Sequence, residues 1–183
     1  MTPLTFTQKT YCIQSDTLRT HVRGVLTRNP DWKTALSGFT LESAWIIGDW
    51  DEVQVLVDDS DVQTPSLVLA RLLMALRTEE NDAILKASSQ ARLVLGNSIS
   101  GSGTREFRHS YDAVLNLHLV HEIEMIHEFV TSLPLSGPNA HRQRHNILGS
   151  LSRNLDARLE LTLPTFRIRE PILSMRRTAF GLR

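Results

Sequence analysis

A cluster of histidine and carboxylate side chains is the part of this chain that comes closest to a catalytic motif. His118, His121 and Glu122 stand at positions i, i+3 and i+4, a spacing that places three potential metal ligands together on a helix. A zinc or iron ion held there could activate water, so a small metal-dependent helical enzyme is one hypothesis. The spacing matches neither HExxH nor HxxEH, and a catalytic metal would need a further ligand and a base from elsewhere. The pattern therefore favours half-buried histidines on a packing face, and we predict no metal site.

Other catalytic patterns are weaker still. Gly101-Ser102-Gly103-Thr104 precedes a helical pattern, but it lacks the lysine and the spacing of a phosphate-binding loop. Cys12 is the single cysteine, and no histidine stands near it in a recognisable nucleophile–base arrangement. We therefore expect no catalytic residue and no bound cofactor in this chain.

Basic side chains are concentrated in two regions. Residues 141–145 read HRQRH, and further arginines stand near the end of the chain. Guanidinium groups bind phosphates or carboxylates, but the aromatic residues typical of single-strand binding are not interleaved with them. The pattern favours a protein interface over direct contact with nucleic acid. The candidates for structural or interaction roles are Trp45, Trp50, Arg167, Arg169, Glu170, Arg176 and Arg177.

The composition predicts a globular, intracellular protein. Of the 183 residues 41% are hydrophobic, and 20 basic residues balance 20 acidic ones, so no net charge draws the molecule to nucleic acid or membrane. The longest apolar run, residues 67–76, contains Arg71 and is shorter than the roughly 20 residues that span a bilayer. The N-terminus lacks the apolar segment of a signal peptide. We expect no membrane association.

Residues 41–57 predict a helix, a tight turn and a second helix. Trp45 lies on the apolar stripe of the first helix, and Trp50 begins the stripe of the second. Asp49 can accept a hydrogen bond at the start of the second helix, with Glu52 placed as its capping-box partner. Neither helix can bury its stripe alone, so the pair must pack on itself and on neighbouring pairs, as in an α-solenoid.

Helical spacing continues along the rest of the chain without sustained strand alternation. We predict an all-α fold, a helical-repeat solenoid of TPR-like or HEAT-like antiparallel helix pairs over residues 1–183. Possible sub-units are 1–96 and 104–183, joined by the Gly- and Ser-rich linker 97–103. The further predicted helices are 15–28, 67–76 capped by Ser66, 82–95 stopped by Gly96, 104–130, 139–163, and a last helix with Pro171 at its first position.

Three segments of the chain resemble one known family. Residues 158–177 read RLELTLPTFRIREPILSMRR and resemble the RLxxTxPSFRxREPILxLRR stretch in the FAT region of ATR-type checkpoint kinases, which belong to the phosphatidylinositol 3-kinase-related kinases. Residues 42–51, ESAWIIGDWD, resemble the ExxW…GxWD hairpin of that region, and residues 117–124, LHLVHEIE, resemble its LHMLHELE helix. Thr165 and Met175 depart from the usual Ser and Leu.

The resemblance implies a FAT segment of a longer polypeptide. Such segments are helical repeats that brace a C-terminal serine/threonine kinase domain in DNA-damage checkpoint signalling, which implies a nuclear protein. The implied partners are the kinase domain of the same polypeptide and proteins of the checkpoint complex. No glycine-rich ATP loop and no HRD-like or DFG-like segment is present, so ATP and a divalent metal would belong to a kinase domain elsewhere. A stand-alone TPR-like adaptor is the remaining alternative.

Overall fold

The computed structural model describes residues 6–60, 62–100, 107–134 and 136–182. These ranges contain eight α-helices, one short 3-10 helix at Pro30–Trp32 and no strand, which confirms the predicted all-α class. The superhelical stacking of a solenoid stays a prediction. The helices are α1 (Phe6–Arg28), α2 (Lys33–Ile47), α3 (Trp50–Asp58), α4 (Pro65–Thr78), α5 (Asn81–Ser100), α6 (Phe107–Thr131), α7 (Ala140–Glu160) and α8 (Phe166–Gly181).

The chain divides into two compact units, Met1–Met74 and Ala75–Arg183. In the first unit α2 packs against both α1 and α3, and in the second α6 packs against α5, α7 and α8. Residues 97–100 of the predicted linker belong to α5, whereas residues 101–103 lie outside the described residues. The predicted sub-units 1–96 and 104–183 stay a prediction.

The predicted turn between α2 and α3 is confirmed. Gly48 ends α2 with a φ of +88°, a left-handed conformation that glycine adopts without the strain of a Cβ atom. The N–H groups of Gly48 and Asp49 both donate to the carbonyl oxygen of Ala44, each at 3.0 Å. Asp49 Oδ1 then accepts a hydrogen bond from the N–H of Glu52 at 3.2 Å, so the aspartate is the N-cap of α3 as predicted.

The side chain of Glu52 does not complete the predicted capping box, because it turns to α1. Arg19 NH1 hydrogen-bonds Asp49 Oδ2 at 2.8 Å and lies 2.9 Å from Glu52 Oε2, the second contact being an ion pair without hydrogen-bond geometry. Arg23 of α1 also pairs with Glu52. The hydrogen bond from the amide of Glu52, followed by that from Arg19, lowers the pKa of Asp49. The turn thus fixes α1 as well as α2 and α3.

The first unit buries the apolar faces that the hairpin pattern predicted. Ala44 and Val53 are fully buried, Trp45 is 5% exposed, and Trp50 is half-buried. Trp32, in contrast, is 55% exposed, so the three tryptophans do not share one core. The buried residues of α4 in this unit are Leu67, Val68, Leu69, Ala70, Leu72 and Leu73.

The predicted cap of α4 is wrong by two residues. The hydroxyl of Thr64 accepts a hydrogen bond from the N–H of Leu67 at 3.2 Å, and Pro65 occupies the first helical position. Proline suits that position because its fixed φ is helical and no N–H is needed there. Ser66 lies one residue further along and its hydroxyl donates to Glu42 at 3.4 Å.

Side-chain contacts between helices, one of them to a backbone carbonyl, show the helix directions in the second unit. As the residue numbers of α5 and α7 rise, their partners on and after α6 fall, so both helices run antiparallel to α6. The partners of α8 rise together with it, so α8 runs parallel to α6. The contacts are Asn81–His127 and Arg92–Glu124 for α5, Arg144–Pro134 and Arg158–His118 for α7, and Arg167–Asp112 and Arg176–Glu122 for α8.

Two predicted helix boundaries in this unit are wrong. Gly96 does not stop α5, which continues to Ser100, because a glycine with ordinary helical backbone angles lowers helix stability without ending the helix. Pro171 is the sixth residue of α8 and not the first, since the helix begins at Phe166 after the extended Thr165. A helix-internal proline removes one backbone hydrogen bond, so tertiary packing must stabilise α8.

Helix α6 buries one of its faces. Leu119 and Ile126 are buried on it, whereas Val114 is 52% exposed. The remaining apolar residues of the buried face are Ala113, Val120 and Ile123. Among the described residues no helix combines the length and the apolar character needed to cross a membrane.

We expect Gly48→Ala to destabilise the chain by about 1–2 kcal/mol, because a Cβ atom at positive φ is strained. A new methyl group there meets only Trp50 Nε1 at 3.9 Å, so the effect is one of backbone conformation. The matched control is Gly24→Ala within α1, where nothing lies within 4 Å of the added Cβ. It should stabilise the chain by about 0.5–1 kcal/mol. Urea unfolding followed by circular dichroism measures both changes.

Candidate functional site

Glu122 is a carboxylate on the buried face of α6. It is 1% exposed, and the neighbouring Val120, Ile123 and Ile126 are fully buried. Removing a carboxylate from water costs several kcal/mol unless other charges and hydrogen bonds compensate. The surroundings of Glu122 supply that compensation.

Arg176 is the principal partner of Glu122. Its Nε donates to Glu122 Oε2 and its NH2 to Oε1, both at 2.7 Å, which is the bidentate geometry of a strong charge-assisted pair. The same NH2 donates to the backbone carbonyl of Leu155 in α7 at 2.6 Å. Because Arg176 lies on the inward stripe of α8 between buried Ile172 and Ala179, one guanidinium joins α6, α7 and α8.

His118 and Arg158 complete the cluster. His118 Nε2 lies 2.8 Å from Glu122 Oε1, and Arg158 NH2 lies 3.1 Å from His118 Nδ1. An arginine can only donate, so Nδ1 must be the acceptor and Nε2 carries the proton that it donates to Glu122. In this network Nε2 of His118 faces Glu122 and Nδ1 faces Arg158. Arg158 Nε, 3.6 Å from Glu122 Oε1, adds a charge contact without a hydrogen bond.

The pKa of Glu122 reflects two opposed influences. Burial raises the pKa of the carboxyl group, while the hydrogen bonds from Arg176 and His118 and the charge of Arg176 lower it. The lowering prevails, so the pKa of Glu122 lies below its ordinary value. The carboxylate is therefore ionised at neutral pH and is stabilised by the fold.

The three candidate metal ligands of the alternative hypothesis, His118, His121 and Glu122, do not converge. His121 Nδ1 lies 3.4 Å from Glu124 Oε2, away from the pair formed by His118 and Glu122. Both ring nitrogens of His118 are already engaged. Over the described ranges no group of three or more histidine, cysteine, aspartate or glutamate side chains is arranged to hold a metal ion. The three residues at i, i+3 and i+4 do lie on one helix, α6, but their side chains do not point to a common coordination point.

The interaction candidates of the C-terminal helix fall in different environments. Arg176 is interior, with 8% exposure, and so has a structural role. Arg167 is exposed and contacts Asp112 at 3.5 Å, while Arg177 is half-buried. Arg169 is also half-buried, and its Nε is buried without an acceptor. Burial raises the pKa of Glu170.

The pairing of Glu122 with Arg176 was missed in the sequence, although a signal for it exists. Each charged residue interrupts an apolar stripe, Glu122 among the core residues of α6 and Arg176 among those of α8. A charge on a buried face requires an opposite charge nearby. Applied to both helices, this rule would have marked each residue as needing a charged partner, without showing that the two pair with each other.

The fold and the cluster together define a class of protein: an all-α helical protein whose buried charged groups join helices. Residues 37–183 match the FAT domain family, and the chain belongs to this family. This match and the relatives described next agree with the resemblance found in the sequence.

The curated relatives of the chain are much longer kinases. It is 23% identical over 176 residues to the serine/threonine-protein kinase ATR of Arabidopsis thaliana, covering 90% of this chain and 6% of the relative. It is 30% identical over 137 residues to that of Drosophila melanogaster, covering 74% and 5%. It is 22% identical over 173 residues to the ATR kinase of Oryza sativa subsp. indica, covering 88% of this chain and 6% of that relative. The chain thus spans about one twentieth of their length. No solved structure matches it significantly.

We expect Glu122→Gln to destabilise the chain by about 3–5 kcal/mol, because it leaves the guanidinium of Arg176 buried without an opposite charge. The matched control is Arg92→Ala. Arg92 pairs with Glu124 across α5 and α6 with its own side chain 55% exposed, and exposed pairs contribute about 0–1 kcal/mol. Urea unfolding measures both variants. Equal losses would contradict the assignment of Glu122 and Arg176 as the principal ionic contact.

The pH dependence of stability should carry the signature of Glu122. Because its pKa is lowered in the folded state, its contribution is fully present above the ordinary carboxyl pKa and is lost as the pH falls through the lowered one. Glu170 has the opposite effect on the pH dependence of stability. Its pKa is raised in the folded state, so the folded state binds the proton more tightly and protonation of Glu170 favours folding. We expect Glu122→Gln to flatten the acid limb of a stability–pH curve measured by urea unfolding, and Glu170→Gln to steepen it.

Proposed function

We propose that this chain is a non-catalytic scaffold segment of an ATR-like serine/threonine protein kinase, acting in DNA-damage checkpoint signalling in the nucleus. It braces the kinase domain of the same polypeptide and contacts protein partners of the checkpoint complex, without direct contact to nucleic acid. The match of residues 37–183 to the FAT domain family carries this proposal. The names of the relatives support the kinase context.

The interior of the second unit suits a bracing role. The ionic groups of Glu122 and Arg176 face each other and a backbone carbonyl, which leaves their polar atoms engaged with the protein. Such a cluster fixes the relative positions of α6, α7 and α8, because removing any charged member exposes another to an apolar interior. ATP and a divalent metal would bind in the kinase domain outside this chain.

The test uses the longer kinase polypeptide with Glu122→Gln. We expect a lower kcat for phosphorylation of a peptide and a nearly unchanged KM for ATP, because loosening the brace affects domain positioning and not the nucleotide site. The control is Lys86→Ala, a change at an exposed position of α5, which should alter neither constant. Gel filtration verifies that both proteins remain monodisperse.

Two results would overturn the proposal. One is an unchanged kcat in Glu122→Gln although the variant shows the loss of stability that we predict for it. The other is phosphorylation of a peptide by the purified 183-residue chain that substitutions within this chain abolish.

A further inference from the structure

One side of α7 carries two arginines that face solvent. Arg142 and Arg153 are eleven residues apart, which is about three turns of an α-helix, so they lie on one line. Around the helix, each lies at least about 140° from every buried residue of α7, and these residues are Ala140, Leu151 and Leu155. Both arginines are exposed. They therefore lie opposite the face with which α7 packs against α6.

Neither guanidinium group is engaged by the chain itself. In the described part of the structure, Arg142 and Arg153 form no ion pair and no hydrogen bond. The terminal nitrogen NH1 of Arg153 lies 3.7 Å from the position that a Cβ atom of Gly149 would occupy, so this side chain extends back along α7 toward Arg142. Asn146 and Gly149 lie between the arginines on the same line and carry no charge. These four residues are here called the basic strip.

No acidic side chain of the neighbouring sequence neutralises the basic strip. Residues 129–155 contain three arginines and two histidines but no aspartate or glutamate. The third arginine, Arg144, is turned elsewhere, and its Nε donates to the carbonyl oxygen of Pro134 at 2.7 Å. The acidic residues of α7, Asp156 and Glu160, begin only after the strip ends. The strip is therefore a positively charged surface that complements a negatively charged partner.

The placement of these charges does not stabilise α7 itself. Acidic side chains are favourable near the N-terminus of a helix and basic ones near its C-terminus, because of the helix dipole. In α7 the first turn contains Arg142 and no acidic residue, and the last residue is Glu160. Both charges oppose the dipole. Natural proteins depart from such local rules mainly at functional sites, so we interpret Arg142 as part of a binding surface.

We propose that the basic strip binds an acidic segment of a protein partner, with one carboxylate group pairing with Arg142 and another with Arg153. A guanidinium group binds a carboxylate with two parallel hydrogen bonds. The separation of the two arginines along the helix corresponds to about 17 Å. In an extended segment, the two carboxylates are therefore about five residues apart.

A protein segment fits the strip better than a nucleic acid does. Two arginines supply few phosphate contacts, whereas proteins that bind DNA commonly make about 6–10. Glu160 lies on the line of the strip, seven residues after Arg153, so it would repel a phosphate backbone that continued along α7. The inference deepens the proposed contact with protein partners and rests on that part of the proposed function.

A titration of the isotopically labelled 183-residue chain, followed by NMR, tests the proposal. The probe is a short synthetic peptide of alternating glutamate and glycine residues. The result expected is a change in amide chemical shifts confined to residues 141–153. It should weaken as the salt concentration rises, because exposed charges are screened by salt. The matched peptide with lysine in place of glutamate should cause no change.

A charge reversal tests the role of the strip. Arg142→Glu should raise the dissociation constant of the glutamate peptide about tenfold, because a like charge replaces an attractive one at the interface. The variant keeps α7 folded, since the helix dipole favours an acidic residue in the first turn. Lys86→Glu makes the same change of charge at an exposed site of α5 and should leave the dissociation constant unchanged.

Three results would overturn the proposal. The first is chemical-shift changes outside residues 141–153 or none at all, and the second is an unchanged dissociation constant in Arg142→Glu. The third is tighter binding of a single-stranded oligothymidylate of the same length, which would identify a nucleic-acid site. The kinase assay of Glu122→Gln reads the bracing function independently, so failure of the strip and failure of the proposed function are distinguishable.

Discussion

The burial of one carboxylate is the constraint on which the second unit depends. The carboxylate of Glu122 is buried where α6, α7 and α8 meet, and only charged and hydrogen-bonding partners compensate the cost of removing it from water. Arg176 reaches it from α8 with two hydrogen bonds and uses a third to hold the backbone of α7. His118 and Arg158 occupy the remaining space, where His118 hydrogen-bonds Glu122 and Arg158 hydrogen-bonds His118. The helices cannot shift independently without separating these charges.

The first unit is held together by a turn and by partly exposed ionic groups, and not by a buried charge cluster. A glycine with positive φ and an aspartate N-cap make a turn that orders α2 and α3, and Arg19 then attaches α1 to this turn through Asp49. These ionic groups are partly exposed, and such contacts contribute less than buried ones because solvent competes with them. Apolar burial around Ala44 and Val53 also stabilises this unit.

Helix α8 carries a buried charged residue and also several exposed apolar residues. The same helix presents Arg176 to the buried cluster and Phe166, Leu173 and Phe180 to solvent. The chain belongs to the FAT domain family and is similar to ATR kinases. Because Arg176 bonds both Glu122 of α6 and the backbone of α7, the position of α8 is fixed relative to those two helices.

The sequence by itself determined the all-α class, the α2–α3 turn and the family, because local spacing, capping residues and short motifs depend on neighbours along the chain. It did not determine helix boundaries at Gly96 or Pro171, where tertiary packing outweighs local preference. A metal site at His118, His121 and Glu122 was only an alternative hypothesis, and the structure places the buried ion pair of Glu122 with Arg176 there. Glu122 and Arg176 are 54 residues apart, and a helical stripe shows which face is buried but not which residue of another helix meets it. Only the tertiary structure brought the two charges together, since their pairing depends on how α6 and α8 pack.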